Sequence, residues 1–520
     1  MVEATKSSLQ ALLGTFLLAG ALGLCLGVPG ALGTGRTFLY ALYAEPDTLD
    51  SAKTTMEVAA HPLWLLCDAL VNVSRDGRGI EPGLAESWTT SPDGLTVVVK
   101  LRAGVVLHDG TPLDGQVVRA SVERHFVKTH PLYSASPKNT KEQLLGDLIG
   151  SIAAEGLTVR FKLKYPGFHH LTQVDVISPA ALARLGPQFG RQPVCSGPFK
   201  FESWNGGQLT LVANDRYWRG RPRLDRVVFR ILNEPKAVVD AFERRELDYT
   251  PIVSDLIYLE RLREMPGVTL IPVIPLNVSY LGFYTERTPL NDVRLRRAVV
   301  QAVNVPRLVQ FLGRGAAIPA RGPLAPGVKS YDESVAQPGY DPAAARELLH
   351  RAGHGNGLTL SLVHHEMKGR DTEVAEAIRA DLERVGVTVT LDRKPTYGDL
   401  RRAMRAREGH MFLFSWHTRA PHPERVLTPL FHSRAAPGTN LTHYSNQTLD
   451  RLLDAALRIA DPAEQERAYR RAQQVIVGDA PAIFLYHLIR TAVIGPRLSH
   501  LELDPGAHPL DKLVTADVLP

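Results

Sequence analysis

The densest group of side chains that could bind a metal surrounds one apolar stretch, Met411–Trp416. The five histidines of this group are His410, His417, His422, His432 and His443. Neutral imidazole suits nickel, copper and zinc. The successive spacings of 7, 5, 10 and 11 residues put no pair on one helical turn, and no cysteine or acidic residue completes a set. Scattered surface histidines are the simpler interpretation, and direct metal ligation remains an alternative.

Motifs of enzymatic chemistry are absent or incomplete. His365-Glu366 begins like the H-E-x-x-H helix of a zinc peptidase, but Gly369 stands where the second histidine belongs. The chain has no G-x-S-x-G, no phosphate loop, no G-x-G-x-x-G and no C-x-x-C. The sequence therefore predicts no catalytic site and no cofactor, and an exported hydrolase is the least favoured hypothesis.

Composition indicates a soluble globular chain with several domains. The 520 residues are 44% hydrophobic and 22% charged. A formal charge of +6 is small for this length and gives no nucleic-acid footprint. The densest basic stretch, Arg401–Arg407, has helical spacing and is typical of a solvated helix face.

The first 35 residues have the layout of an export signal. Lys6 precedes an apolar run, Leu9–Leu26, and small residues follow, with Ala31 and Gly33 at positions that a signal peptidase reads. The run is also long enough for an uncleaved membrane anchor. Lipidation at Cys25 is a third possibility, disfavoured by the large residue before it. Residues 1–35 are predicted to be a signal peptide or an N-terminal anchor.

Two further cysteines, Cys67 and Cys195, would remain after removal of the leader. An oxidising compartment permits a disulfide between them. Sequence alone does not show whether their Cβ atoms are close enough, so two buried free thiols are an equal alternative.

Strands, tight turns and helices alternate along the chain, as expected of α/β domains. In the first half, strands are predicted at 38–43, 95–101, 158–163, 209–213 and 226–231, and helices at 61–71, 113–126 and 235–245. In the second half, helices are predicted at 292–301, 306–312, 341–352, 371–385, 448–459 and 462–477, and strands at 359–363, 387–391 and 411–416. The order strand, helix, strand over 359–391 predicts a crossover unit.

Several short motifs follow one another in an order that identifies a family. They are Pro46–Asp50 (PDTLD), Pro82–Trp88 (PGLAESW) with Ser91–Gly94 (SPDG), Leu101–Val105 (LRAGV) with His108–Pro112 (HDGTP), Ser196–Phe199 (SGPF), Asn214–Trp218 (NDRYW) and Asp292–Ala298 (DVRLRRA). With them the chain resembles the family 5 extracellular solute-binding proteins that serve peptide- and nickel-type ABC importers.

This resemblance implies an α/β fold, a large two-lobed clamp of the periplasmic-binding-protein type (type II, cluster C) with an additional subdomain. It assigns 36–70, 195–276 and 481–520 to lobe I, 71–194 to the additional subdomain, and 277–480 to lobe II. The lobes are expected to close by hinge motion around a buried ligand. Most of the motifs also have structural roles: Asp93-Gly94 and Asp109-Gly110 suit tight turns with positive φ.

Ligand contacts are predicted at the end of the 411–416 strand. In peptide-binding members of the family, a Gly-Trp at the strand end is followed by an aspartate that pairs with the ligand's ammonium group. In this chain Trp416 matches the tryptophan, His417 and Thr418 follow, and Arg419 stands where the acid would be. The family's next Asp-Pro is likewise His422-Pro423. A cation at 419 favours a carboxylate or phosphate, so we expect an anionic or zwitterionic ligand. The alternative is that Arg419 points to solvent or pairs with Glu424.

Three further wall residues are predicted from their place in the family pattern: Tyr43, Thr54 and Thr55. The resemblance implies the exported binding component of an ABC importer, which captures a peptide-like or other small polar solute and delivers it to the permease. Binding of nickel or of a metal chelate is the alternative cargo. The predicted partners are the ligand and the permease subunits, with no nucleic acid, and the protein is predicted to be a monomer in the periplasm or another extracytoplasmic space.

Overall fold

The structure is a computed structural model, and it describes residues 36–54, 56–74, 79–133, 140–253, 256–273, 276–312, 317–365, 370–418, 421–436, 438–459, 461–499 and 517–518. The predicted leader, residues 1–35, lies outside this set, as do Thr55 and Arg419. Within these ranges, no helix is long and apolar enough to cross a membrane.

The strands are numbered in chain order. They are β1 Thr37–Leu42, β2 Val71–Val73, β3 Ile80–Pro82, β4 Ala85–Thr90, β5 Thr96–Leu101, β6 Ile149–Glu155, β7 Thr158–Leu163, β8 Phe199–Asn205, β9 Gln208–Ala213, β10 Arg226–Ile231, β11 Tyr249–Val253, β12 Thr269–Val273, β13 Asn277–Phe283, β14 Ala317–Pro319, β15 Leu358–His365, β16 Val387–Lys394, β17 Met411–His417, β18 Ala482–Leu488, β19 Arg490–Ile494, β20 Leu498–Ser499 and β21 Asp517–Val518.

Helices are interspersed among these strands. The α-helices are α1 Ala60–Leu66, α2 Gly115–Glu123, α3 Thr140–Leu148, α4 Pro179–Leu185, α5 Pro235–Glu243, α6 Leu256–Arg263, α7 Val293–Ala302, α8 Val305–Phe311, α9 Pro342–Arg351, α10 Arg370–Glu383, α11 Tyr397–Ala406, α12 Glu424–Phe431, α13 Gln447–Ala456 and α14 Pro462–Asp479. Short 3₁₀ helices span Glu57–Ala59, Phe168–Gln173, Gly186–Arg191 and Ser433–Ala435.

Three larger sheets organise the chain. A mixed seven-stranded sheet has the order β12-β19-β11-β1-β10-β9-β8, and a mixed six-stranded sheet has the order β14-β18-β13-β17-β15-β16. A four-stranded antiparallel sheet, β4-β5-β7-β6, has its own core of side chains from α2, α3 and the Phe168–Gln173 helix. The central strand β13 is buried along its whole length, because apolar cores cover both faces of its sheet.

The chain passes from the seven-stranded to the six-stranded sheet between β12 and β13, and it returns between β18 and β19. Strand β12 pairs with β19 and β13 pairs with β18, so the two passages lie side by side. The predicted boundary between lobe II and the last segment of lobe I falls at 480/481. Residues 482–488 form β18 of the six-stranded sheet, and the return lies later, between Leu488 and Arg490.

Most predicted elements are present close to their expected bounds. Strands Thr158–Leu163 and Arg226–Ile231 have the predicted limits, and β15, α10 and β16 form the predicted parallel crossover unit. Helix α9 begins where expected, since the Asp341 side chain accepts hydrogen bonds from two backbone amides of its first turn.

The predicted helix 61–71 is wrong in its second half. Helix α1 ends at Leu66, and Cys67 is extended with φ −130° and ψ 132°. The backbone N–H of Gly197 donates to the Leu66 carbonyl, which a longer helix would need for its own bonding. A Cβ at Gly197 would lie 2.5 Å from the Leu66 carbonyl carbon, so the glycine of the SGPF motif allows close packing of two backbone segments.

A disulfide and a buried ion pair hold the first part of the chain together. Cys67 and Cys195 form a disulfide, which decides between the two alternatives left open by the sequence. Arg124, at the end of α2, donates to the Asp50 carboxylate at 2.5 Å, and both side chains are buried. The PDTLD motif therefore anchors the loop after β1 to the segment that carries the four-stranded sheet.

Candidate functional site

Charged side chains meet beside the passage from β18 to β19. Arg490, the first residue of β19, donates from Nη1 and Nη2 to the two carboxylate oxygens of Glu57, at 2.9 and 3.4 Å. Its Nη2 also lies 3.4 Å from Nδ1 of His417, the last residue of β17. One arginine thus joins a 3₁₀ helix beside the seven-stranded sheet to the end of a strand in the six-stranded sheet.

The protonation state of His417 follows from its surroundings. Desolvation by the surrounding protein lowers the pKa of His417 to about 4, and the positive charge of Arg490 contributes to the lowering. A guanidinium can only donate, so the neutral imidazole accepts at Nδ1. The Arg490 side chain is 25% exposed and that of Glu57 is 41% exposed, so both remain accessible to a small solute.

Aromatic rings lie next to this contact. The Tyr40 hydroxyl is 2.7 Å from Nδ1 of His61, and the His61 ring packs edge-on against Tyr43 and Trp64. Burial raises the pKa of Tyr40. Electrostatic interactions with Tyr249, Tyr43 and Glu57 raise this pKa further. The predicted wall residue Tyr43 therefore lies in the same electrostatic neighbourhood as Glu57.

Trp416 and Thr418 line the strand end that carries His417. The half-buried Trp416 ring packs against the core of the six-stranded sheet, and its Nε1 donates to the Arg425 carbonyl at 2.9 Å. The backbone N–H of Thr418 donates to the Leu276 carbonyl, beside the passage from β12 to β13. Both residues thus lie near the place where the sheets are joined.

Thr54 is engaged in its own loop. Its hydroxyl donates to Asp47 Oδ1 at 2.5 Å and accepts from the Met56 backbone N–H at 3.2 Å. These bonds fix the turn that leads into the helix carrying Glu57. Thr54 therefore positions the wall of the site through the backbone, while Thr55 and Arg419 lie outside the described residues.

The histidines around β17 have different hydrogen-bond and ion-pair partners. His410 Nδ1 accepts from the Ser361 backbone N–H at 3.1 Å, and His432 lies between Asp450 and Asp454, each at 3.3 Å. Across the described ranges, no group of three or more His, Cys, Asp or Glu side chains is arranged to hold a metal ion.

Sequence reasoning missed Arg490 and Glu57. They are 433 positions apart, and each belongs to a short segment without a motif. Arg419, which stands where peptide-binding members of the family have an aspartate, is a sequence signal for a carboxylate-binding cation in this region.

Two α/β bodies joined by paired strand passages, with accessible charges beside the junction, define a two-lobed solute-binding protein. The family model of the bacterial extracellular solute-binding proteins, family 5, matches residues 79–438. Heme-binding protein A of Haemophilus influenzae is 30% identical over 462 residues, covering 82% of this chain and 83% of that protein.

Further comparisons agree in sequence and in fold. The glutathione-binding protein GsiB of Escherichia coli is 28% identical over 495 residues, covering 92% of each chain. The solved structure of HbpA2 from Haemophilus parasuis superposes with a TM-score of 0.83 at 24% identity, covering 91% of this chain and 98% of that one. The chain belongs to the bacterial extracellular solute-binding proteins, family 5.

Membership establishes the general role predicted from the motifs. The protein is a binding component of an ABC importer, which captures a solute for delivery to the membrane permease, and it is not an enzyme. The two-lobed α/β fold predicted from the sequence is confirmed.

Proposed function

We propose that the protein captures a small peptide-like solute that carries both a carboxylate and an amino group, with the carboxylate bound at Arg490. The observation that carries this proposal is the contact among Arg490, Glu57 and His417. Arg490 already holds a carboxylate through two hydrogen bonds, in the fork geometry that guanidinium offers to such groups. A ligand carboxylate can take the place of Glu57 or share the guanidinium with it.

The relatives support a carboxylate-bearing cargo. One is named for binding heme and another for binding glutathione. Heme has two propionate groups, and glutathione is a tripeptide with two carboxylates and one amino group. Glutathione matches the zwitterionic ligand expected from Arg419, so we take glutathione and short acidic peptides as the proposed class.

We further propose that the passages β12–β13 and β18–β19 form the hinge. Lobe I then comprises 36–70, 195–276 and the chain from Arg490 onward, and lobe II comprises 277–488. Residues 71–194 form the additional subdomain, attached to lobe I through Asp50–Arg124, while the Cys67–Cys195 disulfide joins the two lobe I segments on either side of it. In this structure His417 of lobe II already lies 3.4 Å from Arg490 of lobe I, so we take it as the closed form, and opening at the hinge would separate the two residues to admit the solute.

We propose that residues 1–35 direct export, by cleavage or as an anchor, and that the protein acts as a monomer. The leader is supported by its apolar run after Lys6 and by membership in an extracellular family. Mass spectrometry of the intact protein from its native membrane or periplasmic fraction would distinguish the cleaved, lipidated and retained forms.

Native mass spectrometry of protein purified without refolding tests the proposed cargo. We expect a co-purifying organic solute with a carboxylate, and calorimetry should show binding of glutathione. A co-purifying nickel complex would instead support the alternative cargo. Calorimetric binding of hemin or nickel–histidine without binding of glutathione or acidic peptides would contradict the proposed class.

A further inference from the structure

A second polar contact joins the four-stranded sheet region to the six-stranded sheet. We call it the histidine cluster, comprising His169, His170, His422, Glu424 and Tyr469. The first two lie on the Phe168–Gln173 helix, whose apolar side chains belong to the core of the four-stranded sheet. The others lie at the start of α12 and on α14, which pack with the six-stranded sheet.

The rings of the cluster are in close contact. His169 stacks on His422 with centroids 4.3 Å apart, and its centroid lies 4.1 Å from that of its neighbour His170. His422 meets the edge of Tyr469 at 5.6 Å. His170 Nε2 lies 3.8 Å from Glu424 Oε2, which is beyond hydrogen-bond distance.

Several buried polar atoms of this region lack a hydrogen-bond partner among the described residues. They are His169 Nε2, both ring nitrogens of His170, Glu424 Oε2, Thr428 Oγ1 and Tyr469 Oη. His170 is fully buried, and Glu424 is 7% exposed. Buried polar groups in folded proteins are nearly always paired, so this concentration of unpaired atoms can accept a further polar partner.

The charges of the cluster indicate what that partner is. Burial raises the pKa of Glu424, and the nearby positive charges of Arg425 and Arg434 only partly oppose this. Burial lowers the pKa of His169 to about 4, with Arg425 and Lys329 adding to the effect. The pKa values of His170 and His422 are also lowered by burial, so the imidazoles are neutral at pH 7 and each has an acceptor nitrogen.

We propose that the histidine cluster receives the protonated amino group of the captured solute, with Glu424 as its counter-ion and His170 as a second acceptor. This inference rests on the proposed function and assigns the opposite end of the same ligand. Two acceptors 3.8 Å apart can both be reached by one ammonium nitrogen at about 2.8 Å from each. The amino group would supply the positive charge that the buried carboxylate lacks.

Trp416 connects this subsite to the carboxylate end. Its ring N–H binds the carbonyl of Arg425, which directly follows Glu424, and its chain neighbour His417 contacts Arg490. A dipolar solute lying along Trp416 would thus meet a cation at one end and a carboxylate at the other. Peptide-binding members of the family have acids where this chain has Arg419 and His422. In the proposed subsite Glu424, two residues beyond His422, takes their place.

Calorimetry at pH 7.5 with glutathione and N-acetylglutathione tests the subsite. We expect acetylation, which removes the positive charge, to weaken binding to the wild type by about tenfold or more. Glu424→Gln should weaken binding of glutathione by a similar factor and should bind the two probes equally. The control Glu347→Gln, which alters an exposed acid paired with Arg351 on α9, should behave as the wild type.

The free proteins provide a second readout. Because Glu424 Oε2 is buried without a hydrogen-bond partner among the described residues, Glu424→Gln should raise the melting temperature of the ligand-free protein while it weakens binding. A purely structural Glu424 would lower the melting temperature instead. If this variant does not fold, His170→Gln provides the same comparison of the two probes, with a smaller loss expected.

Two results would overturn the inference in different ways. Binding of both probes with equal affinity by the wild type would reject the amino-group subsite and leave the proposed function intact. Failure of the wild type to bind either probe, or short acidic peptides, would reject the proposed ligand class and the subsite with it.

Discussion

The two polar contacts between the sheets differ in whether their charges are satisfied. At the first, Arg490 binds Glu57 and contacts His417, and the side chains of the ion pair are partly exposed. At the second, Glu424 and His170 are buried, and their 3.8 Å approach is too long for a hydrogen bond. In the proposed binding mode, Arg490 exchanges its internal partner Glu57 for a ligand carboxylate. Glu424 and His170, by contrast, gain a hydrogen-bond partner only when the ligand binds.

The difference has an energetic consequence. A partly exposed ion pair contributes little to stability, so replacing Glu57 by a ligand carboxylate costs little. The Glu424 carboxyl is buried, and the nearby charges of Arg425 and Arg434 only partly offset the cost of its burial, so a ligand ammonium group would lower that cost. We therefore expect Arg490 to govern selection of carboxylates and the histidine cluster to couple amino-group binding to closure.

The largest effect is expected when both contacts are changed together. Arg490→Gln combined with Glu424→Gln removes the charges at both ends of the proposed ligand, and affinity for glutathione should fall by about a thousandfold or to below detection in calorimetry. Retention of wild-type affinity would show that glutathione binds elsewhere.

Arg490→Gln alone should weaken glutathione binding by about ten- to a hundredfold, because a charge-assisted pair with the carboxylate is lost. Arg351→Gln, which breaks an exposed helix pair on α9, is the matched control and should leave calorimetric affinity unchanged. Equal affinities of the two variants would contradict the role given to Arg490.

Acidification should weaken binding through the histidine cluster. In the closed form His169, His170 and His422 have lowered pKa values, so protons bound by the open form must be released on closure. Between pH 7.5 and 5.5, we expect about a tenfold loss of affinity for each of these histidines that is solvated in the open form. Glu424, with its raised pKa, acts in the opposite direction when no ligand cation is present.

Calorimetry at several pH values measures this dependence. The positive charges that face the cluster are those of Arg425, Lys329 and Arg434. His169→Gln should flatten the profile by removing one titrating group. A wild-type affinity that rises toward pH 5.5 would contradict the assignment of neutral histidines to the closed form.

The smallest effect is expected at Arg419, which the sequence predicts to favour carboxylates. Arg419→Asp restores the acid of peptide-binding relatives. It should increase the affinity for a dipeptide with uncharged side chains by about several-fold and decrease the affinity for glutathione. Tight binding of ordinary dipeptides by the wild type, with no change in the variant, would contradict the prediction for this residue.

Local patterns were sufficient for much of the fold. The β-branched run Thr158–Leu163 and the Asp341-Pro342 helix start depend on neighbours in the chain, and both occur as predicted. Helix 61–71 was predicted too long because its end at Leu66 is set by Gly197, a distant partner in the chain. The prediction for residues 481–520 named a lobe and no sheet, and the pairing of residues 482–488, as β18, with β13 leaves no local signal.

The candidate site was predictable only in outline. The family pattern led to Trp416, His417 and Tyr43, which lie near the junction of the sheets. Arg490 and Glu57 come together through tertiary structure, and nothing in their local sequence marks them. In the sequence His422 is one of five scattered histidines and stands where the family has an acid, and its partners on the Phe168–Gln173 helix come from packing between distant segments.

A crystal structure of the protein with glutathione bound would test the central claim most directly. We expect a ligand carboxylate within hydrogen-bond distance of Arg490 and the ligand amino nitrogen within that distance of Glu424, with the solute lying along Trp416. A bound glutathione whose amino group is remote from Glu424 and whose carboxylates do not touch Arg490 would contradict it.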